Sequence, residues 1–143
     1  MGGFTLLEHT ADVGVVATGQ TLGDALAWVA KGMLSIIYDL DTVAPRDCLP
    51  VSVVSRDREA LVVDWLNELL YQYEAAGFLT RECQVSLEEG DTRLQARCWG
   101  ESLDPARHRI LTVVKAATYH QLEVAHPSLP GKDQWRIQVI LDV

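Results

Sequence analysis

His9-Thr10-Ala11-Asp12-Val13-Gly14 places an imidazole, a hydroxyl, a carboxylate and a glycine within six residues. Apolar, strand-like runs flank the stretch. Its polar groups therefore fall at a strand end or a turn, where side chains can converge on a site. A possible partner stands at the far end of the chain, in Asp142 and the terminal carboxylate of Val143. If the last strand pairs near the N-terminal strands, Asp12 approaches Asp142 and the carboxylates share one place. Like charges that close raise each other's pKa unless a cation is present. All-oxygen donors suit a hard ion, calcium or magnesium, far better than zinc. The plainer alternative is a capping or turn aspartate beside a solvated terminus. His9 and Asp12 do not form a zinc signature, and His9 reads as a hydrogen-bonded structural histidine.

Other residues could also carry chemistry. Lys115, Thr118, Tyr119 and His120 form a polar cluster on an otherwise apolar run. On a regular strand Lys115 and Tyr119 share one face and Thr118 and His120 the other, so one pocket would need a bend or bulge. Asp64 and Glu68 lie four apart on a helix, a like-charge pair that a basic partner or a metal would relieve, although a solvated polar face explains it as well. Cys48, Cys83 and Cys98 are odd in number and lack a CxxC pair, which argues against a disulfide framework or a zinc site. Each lies in or beside an apolar run and is expected to be a buried, reduced thiol. There is no P-loop, GxSxG, HExxH or dinucleotide fingerprint.

The elements that must position these groups follow from periodicity. Phe4 to Glu8 and Val13 to Thr18 read as strands. Thr21, with Asp24 three residues on, caps a helix whose apolar positions are Leu22, Ala25, Leu26, Val29, Met33, Leu34 and Ile37. Asp39 to Pro50 reads as a loop and Val51 to Val54 as a strand. Ser55 or Asp57 caps a second helix from about Arg58 to Ala75, ended near Gly77, with Leu61, Val62, Trp65, Leu66, Leu69, Leu70 and Tyr73 as its stripe. Cys83 to Glu88 and Arg93 to Trp99 form a hairpin through Glu89-Gly90-Asp91-Thr92. Ile110 to Val124 reads as one long strand or two, and Trp135 to Val143 as the last, with a hairpin loop at Pro127 to Gly131. In that last strand Trp135, Ile137, Val139, Leu141 and Val143 form the core face, and Asp142 projects away from it. The order predicts a single α+β domain over 1–143, with two amphipathic helices packed on mostly antiparallel or mixed β-sheet.

The totals narrow the function classes. The chain has 143 residues, 48% of them hydrophobic and 22% charged, an ordinary globular composition. A formal net charge of -8 argues against direct binding of a nucleic-acid backbone, which needs Lys and Arg to displace counterions. It admits a basic partner or a metal. No run approaches the ~18 apolar residues of a membrane span, and a cytoplasmic protein is expected.

Four stretches together resemble the archease family. They are His9 to Gly14, the helix Asp64-Trp65-Leu66-Asn67-Glu68-Leu69-Leu70-Tyr71, the segment Val114-Lys115-Ala116-Ala117-Thr118-Tyr119-His120, and the terminal Leu141-Asp142-Val143. Gly100-Glu101 and Asp104-Pro105 with His108 are similar to the family's pattern as well. The resemblance implies an accessory protein that is not itself an enzyme. Its partner would be the GTP- and manganese-dependent RNA ligase that joins 2′,3′-cyclic phosphate or 3′-phosphate ends to 5′-hydroxyl ends, as in tRNA splicing. Guanylylation of the ligase and its repeated turnover would be promoted, with RNA met only through the ligase. The resemblance also implies a divalent-metal site at Asp12, Asp142 and Val143, with calcium the first expectation and magnesium or manganese possible. Two rival functions are a general chaperone, independent of Asp12, and a metal-dependent hydrolase using Asp12 and Asp142. For the latter the sequence offers no convincing base or nucleophile.

Overall fold

The computed structural model describes residues 2–8, 12–88, 90–126 and 134–143. Among these residues, eight strands and two long helices are arranged as two antiparallel sheets with the helices packed against both. The strands are β1 (Gly3–Glu8), β2 (Asp12–Gly19), β3 (Asp47–Val54), β4 (Phe78–Glu88), β5 (Arg93–Ser102), β6 (Ala116–Ala117), β7 (Glu123–Ala125) and β8 (Trp135–Asp142). The helices are α1 (Leu22–Ile37) and α2 (Arg58–Ala76). The larger sheet runs β1-β2-β8-β6, with β7 also paired to β8, and the smaller runs β3-β5-β4. The α+β expectation holds, and every ladder among the described residues is antiparallel.

Local chemistry explains the helix limits. The Thr21 hydroxyl accepts the Asp24 N–H at 3.0 Å and starts α1. Asp57, not Ser55, caps α2, accepting the Ala60 N–H at 2.8 Å. Ser55 instead donates to Asp64 at 2.6 Å. Gly77 ends α2 at φ +66, a left-handed conformation that only glycine adopts without a Cβ penalty. The apolar stripes of both helices face the interior, where Leu26, Val29, Met33, Trp65 and Leu66 are fully buried. Trp65 also donates its indole N–H to the Leu26 carbonyl at 2.9 Å, which ties α2 to α1. The Tyr38 hydroxyl donates to the Thr80 carbonyl at 2.7 Å, joining the end of α1 to β4. Burial pushes that phenol far above its ordinary range.

Three expectations need correction. The stretch from Asp39 is a loop only in part: Leu40–Thr42 is a 3-10 turn, and β3 begins at Asp47 and runs through Pro50. A proline is tolerated there because β3 is an edge strand, whose outward side needs no N–H. The long strand expected from Ile110 to Val124 is largely irregular, carrying only β6 and β7. Its backbone is spent on separate partners: Ile110 bridges Tyr38, Leu111 N–H meets the Ile37 carbonyl, and a turn with Gln121 at φ +50 breaks the run after β6. Of the cysteines, Cys98 is buried and Cys83 half-buried, but Cys48 is exposed. It belongs to the outward face of β3, in alternation with the buried Val51 and Val53. The Pro127 to Gly131 loop lies outside the described residues, though β7 does pair with β8.

Candidate metal centre

The two ends of the chain meet as neighbouring strands. β8 inserts between β2 and β6, and its register sets Asp142 directly opposite Asp12 on one side and Ala116 on the other. Directly opposed residues share a face, with Cβ atoms roughly 4.5–5.5 Å apart. The row Asp12–Asp142–Ala116 is therefore two carboxylates side by side and a methyl that leaves their flank open. Asp142 is exposed and Asp12 half-buried. Val143 follows at the end of the strand, packed in part against the core. The sequence could state this approach only as a condition on strand pairing, and the observed register meets it.

Several contacts hold the row in place. Lys115 N–H donates to the Asp142 carbonyl at 2.7 Å, and both the N–H and the hydroxyl of Thr118 donate to the Ile140 carbonyl, at 3.1 and 2.8 Å. Asn67 of α2 accepts the Ala117 N–H at 2.9 Å, so the helix clamps β6 onto β8. The clamp was hidden in the sequence, where Asn67 was one of several polar residues on the helix. Gly14 has a steric reason. A Cβ there would stand 2.9 Å from Leu7 Cβ and 3.2 Å from Ile140 Cδ1, the side chains of its two cross-strand neighbours. The glycine lets these close over the strand two residues from Asp12.

The donor set matches a hard cation. Carboxylates opposed across strands repel one another, and a divalent ion converts that cost into binding. Among the described residues no three His, Cys, Asp or Glu side chains form a metal cluster. Two side chains are available here among the described residues, and an oxygen of Val143, other main-chain oxygen or water would add to them. His9 lies outside the described residues. Lys115, Tyr119 and His120 are exposed. The Asp64–Glu68 pair is relieved internally, by Ser55 on Asp64 and by Gln72 on Glu68 at 2.6 Å.

A second polar group is structural. Glu101 is 3% exposed and accepts the Ala44 N–H at 2.7 Å, the Arg107 guanidinium at 2.7 and 3.2 Å, and His108 Nε2 at 2.9 Å. The Asp104 N–H donates to His108 Nδ1 at 2.8 Å, so the imidazole proton lies on Nε2, facing Glu101. Arg107 first, then Ala44 and His108, hold the Glu101 carboxyl far below the usual carboxylate range. This group fastens the irregular chain after β5 to the body of the molecule.

The profile of the Archease protein family (MTH1598/TM1083) matches residues 4–143. The chain belongs to the archease family. A protein archease of Thermococcus gammatolerans is 38% identical over 138 residues, 95% of each chain. One of Methanosarcina acetivorans is 36% identical over 143 residues, 98% of this chain and 95% of the relative. The solution structure of Methanobacterium thermoautotrophicum protein 1598 superposes with a TM-score of 0.81 at 28% identity, covering 99% of both chains. The crystal structure of an archease, described as a possible chaperone, from Thermotoga maritima gives a TM-score of 0.64 at 18% identity, over 96% of this chain and 94% of that one, a likeness of fold. The archease match spans both strands that bring Asp12 to Asp142 and the helix that carries Asn67. No described helix is long and apolar enough to cross a membrane.

Proposed function

We propose that this archease-family chain is a non-catalytic activator of a GTP-dependent RNA-splicing ligase in the cytoplasm. It promotes guanylylation and multiple turnover of the ligase that joins 2′,3′-cyclic phosphate or 3′-phosphate RNA ends to 5′-hydroxyl ends in tRNA splicing. The observation that carries this reading is the cross-strand pairing of Asp12 with Asp142 in a chain of this family. Asp12, Asp142 and an oxygen of Val143 would hold a divalent ion, calcium first, with magnesium and manganese as alternatives. When bound, the ion would supply positive charge at the shared end of β2 and β8. The chain's own residues do the rest. The carboxylates present that strand end to the ligase, Asn67 and Thr118 keep the β6–β8 pairing in register, and the net charge of -8 steers the encounter with a basic surface.

The test is guanylylation of the cognate ligase with labelled GTP and a divalent ion, with this protein at substoichiometric amounts. Label transfer should speed up, and each ligase molecule should complete many ligations. Asp12→Ala should abolish the stimulation while its circular dichroism and melting remain those of a folded protein. Full stimulation by that folded variant would sink the metal-site reading. Suppression of aggregation of unrelated proteins, with no effect on the ligase, would favour a general chaperone.

A further inference from the structure

Cys83 of β4 and Cys98 of β5 are direct cross-strand partners, with their sulfurs 3.5 Å apart and hydrogen-bonded. Opposed residues of antiparallel strands have Cα atoms about 4.5–5.5 Å apart. That span lies inside the roughly 4.4–6.8 Å a disulfide bridges. Rotation of the side chains alone can therefore close the bond. The two thiols differ in access. Cys98 is fully buried. Cys83 lines a 210 Å³ cavity between α1 and β4, together with Trp28, Lys31, Arg81 and Glu82. Lys31 and Glu82 form an ion pair of 3.0 Å in the lining. The cavity admits a molecule of a few atoms to one sulfur, and the second waits behind it.

We propose that Cys83 and Cys98 form a reversible oxidation site for small hydroperoxides, Cys83 reacting first and Cys98 resolving. The Cys83 thiolate attacks one peroxide oxygen. An S–O bond forms, the O–O bond breaks, and hydroxide leaves to take up a proton as water. Cys98 then attacks the Cys83 sulfur. An S–S bond forms, the S–O bond breaks, and a second water departs. Two thiols and one hydrogen peroxide become one disulfide and two waters, with the sulfur pair losing the two electrons that the peroxide gains. The bridge would staple β4 to β5 beneath α1. The hydrogen bond with Cys98 and burial raise the Cys83 thiol well above its usual range, so the site stays reduced under mild conditions. It also means that oxidation accelerates about tenfold per pH unit through the neutral range, where the thiolate fraction is small.

The experiment uses the full chain carrying Cys48→Ser, which removes the exposed thiol. It is treated with hydrogen peroxide at several pH values and analysed by intact mass and by thiol titration in denaturant. A loss of two mass units and of two thiols, in a monomer, reversed by dithiothreitol, is expected. The oxidised form should melt roughly 10 °C higher, as expected for closing a loop of about 15 residues. In a Cys48→Ser, Cys98→Ser chain, Cys83 should stop at sulfenic acid and be trapped by dimedone. Retention of both thiols at the highest pH tested, in excess peroxide and with the chain still folded, would overturn the proposal. So would disulfides between molecules, or over-oxidation of Cys83 with no internal bridge. None of these readouts involves the ligase, so they stand apart from the proposed function.

Discussion

Asp12 and Asp142 carry opposite consequences for stability and for binding. With no ion present, two carboxylates opposed on neighbouring strands cost a few tenths of a kcal/mol. Asp12→Asn should thus slightly raise the melting temperature of the metal-free protein. The same variant should lose the stabilisation that calcium confers on the parent, about 2.7 kcal/mol when the ion is at a hundredfold excess over its dissociation constant. Differential scanning fluorimetry with and without calcium measures both. A calcium shift that is equal in parent and variant would remove Asp12 from the site. Glu101 makes a second argument at this scale. Its carboxyl is held far below the ordinary Glu value of about 4.3, so its contribution to stability is complete above that pH and declines as pH falls toward the folded-state value. Glu101→Gln should melt well below the parent at pH 7. The gap should narrow progressively below about pH 4, as Glu101 in the unfolded parent chain takes up a proton that the folded chain still resists. A gap that stays constant down to pH 2 would show that charge is irrelevant there.

At the scale of elements, the local signals in the sequence were mostly sufficient where one residue's side chain or backbone decides the outcome. Thr21 and Gly77 end their helices as read, because a cap is a contact over three or four residues. Asp57 rather than Ser55 caps α2, since Ser55 is engaged by Asp64 nine residues on. Asp57→Ala should cost about 1 kcal/mol in urea unfolding, while Ser55→Ala, at a half-buried position that caps no helix, should cost less. A larger loss at Ser55 would reassign the cap. The segment from Ile110 to Val124 shows the limit of local reading. It is rich in strand-forming residues, yet its N–H groups go to Ile37, Asp142 and Ile140 in turn, and no single neighbour is long enough to pair with all of it. Strand propensity is a statement about fitting a sheet surface, and only the assembled sheet says whether that surface is available.

For the whole molecule, composition, helical periodicity and alternation in the last strand were enough to give an α+β domain with buried stripes on both helices. They were enough because each depends on apolar residues recurring with the period of one element. The sequence by itself also determined which residues could bind a hard ion, since oxygen donors are a matter of residue type, and the four motif stretches identified the family. It did not determine that Asp12 faces Asp142. That depends on β8 entering the sheet between β2 and β6 in one register, where a slip of one residue would send Asp142 to the opposite face. Nor did it determine that Cys48 looks outward, or that Glu101 draws in Ala44, Arg107 and His108. They depend on which face of a strand turns outward and on how the irregular chain after β5 folds back onto the body. Their cause is the packing of two sheets around two helices, which local chemistry permits but does not specify.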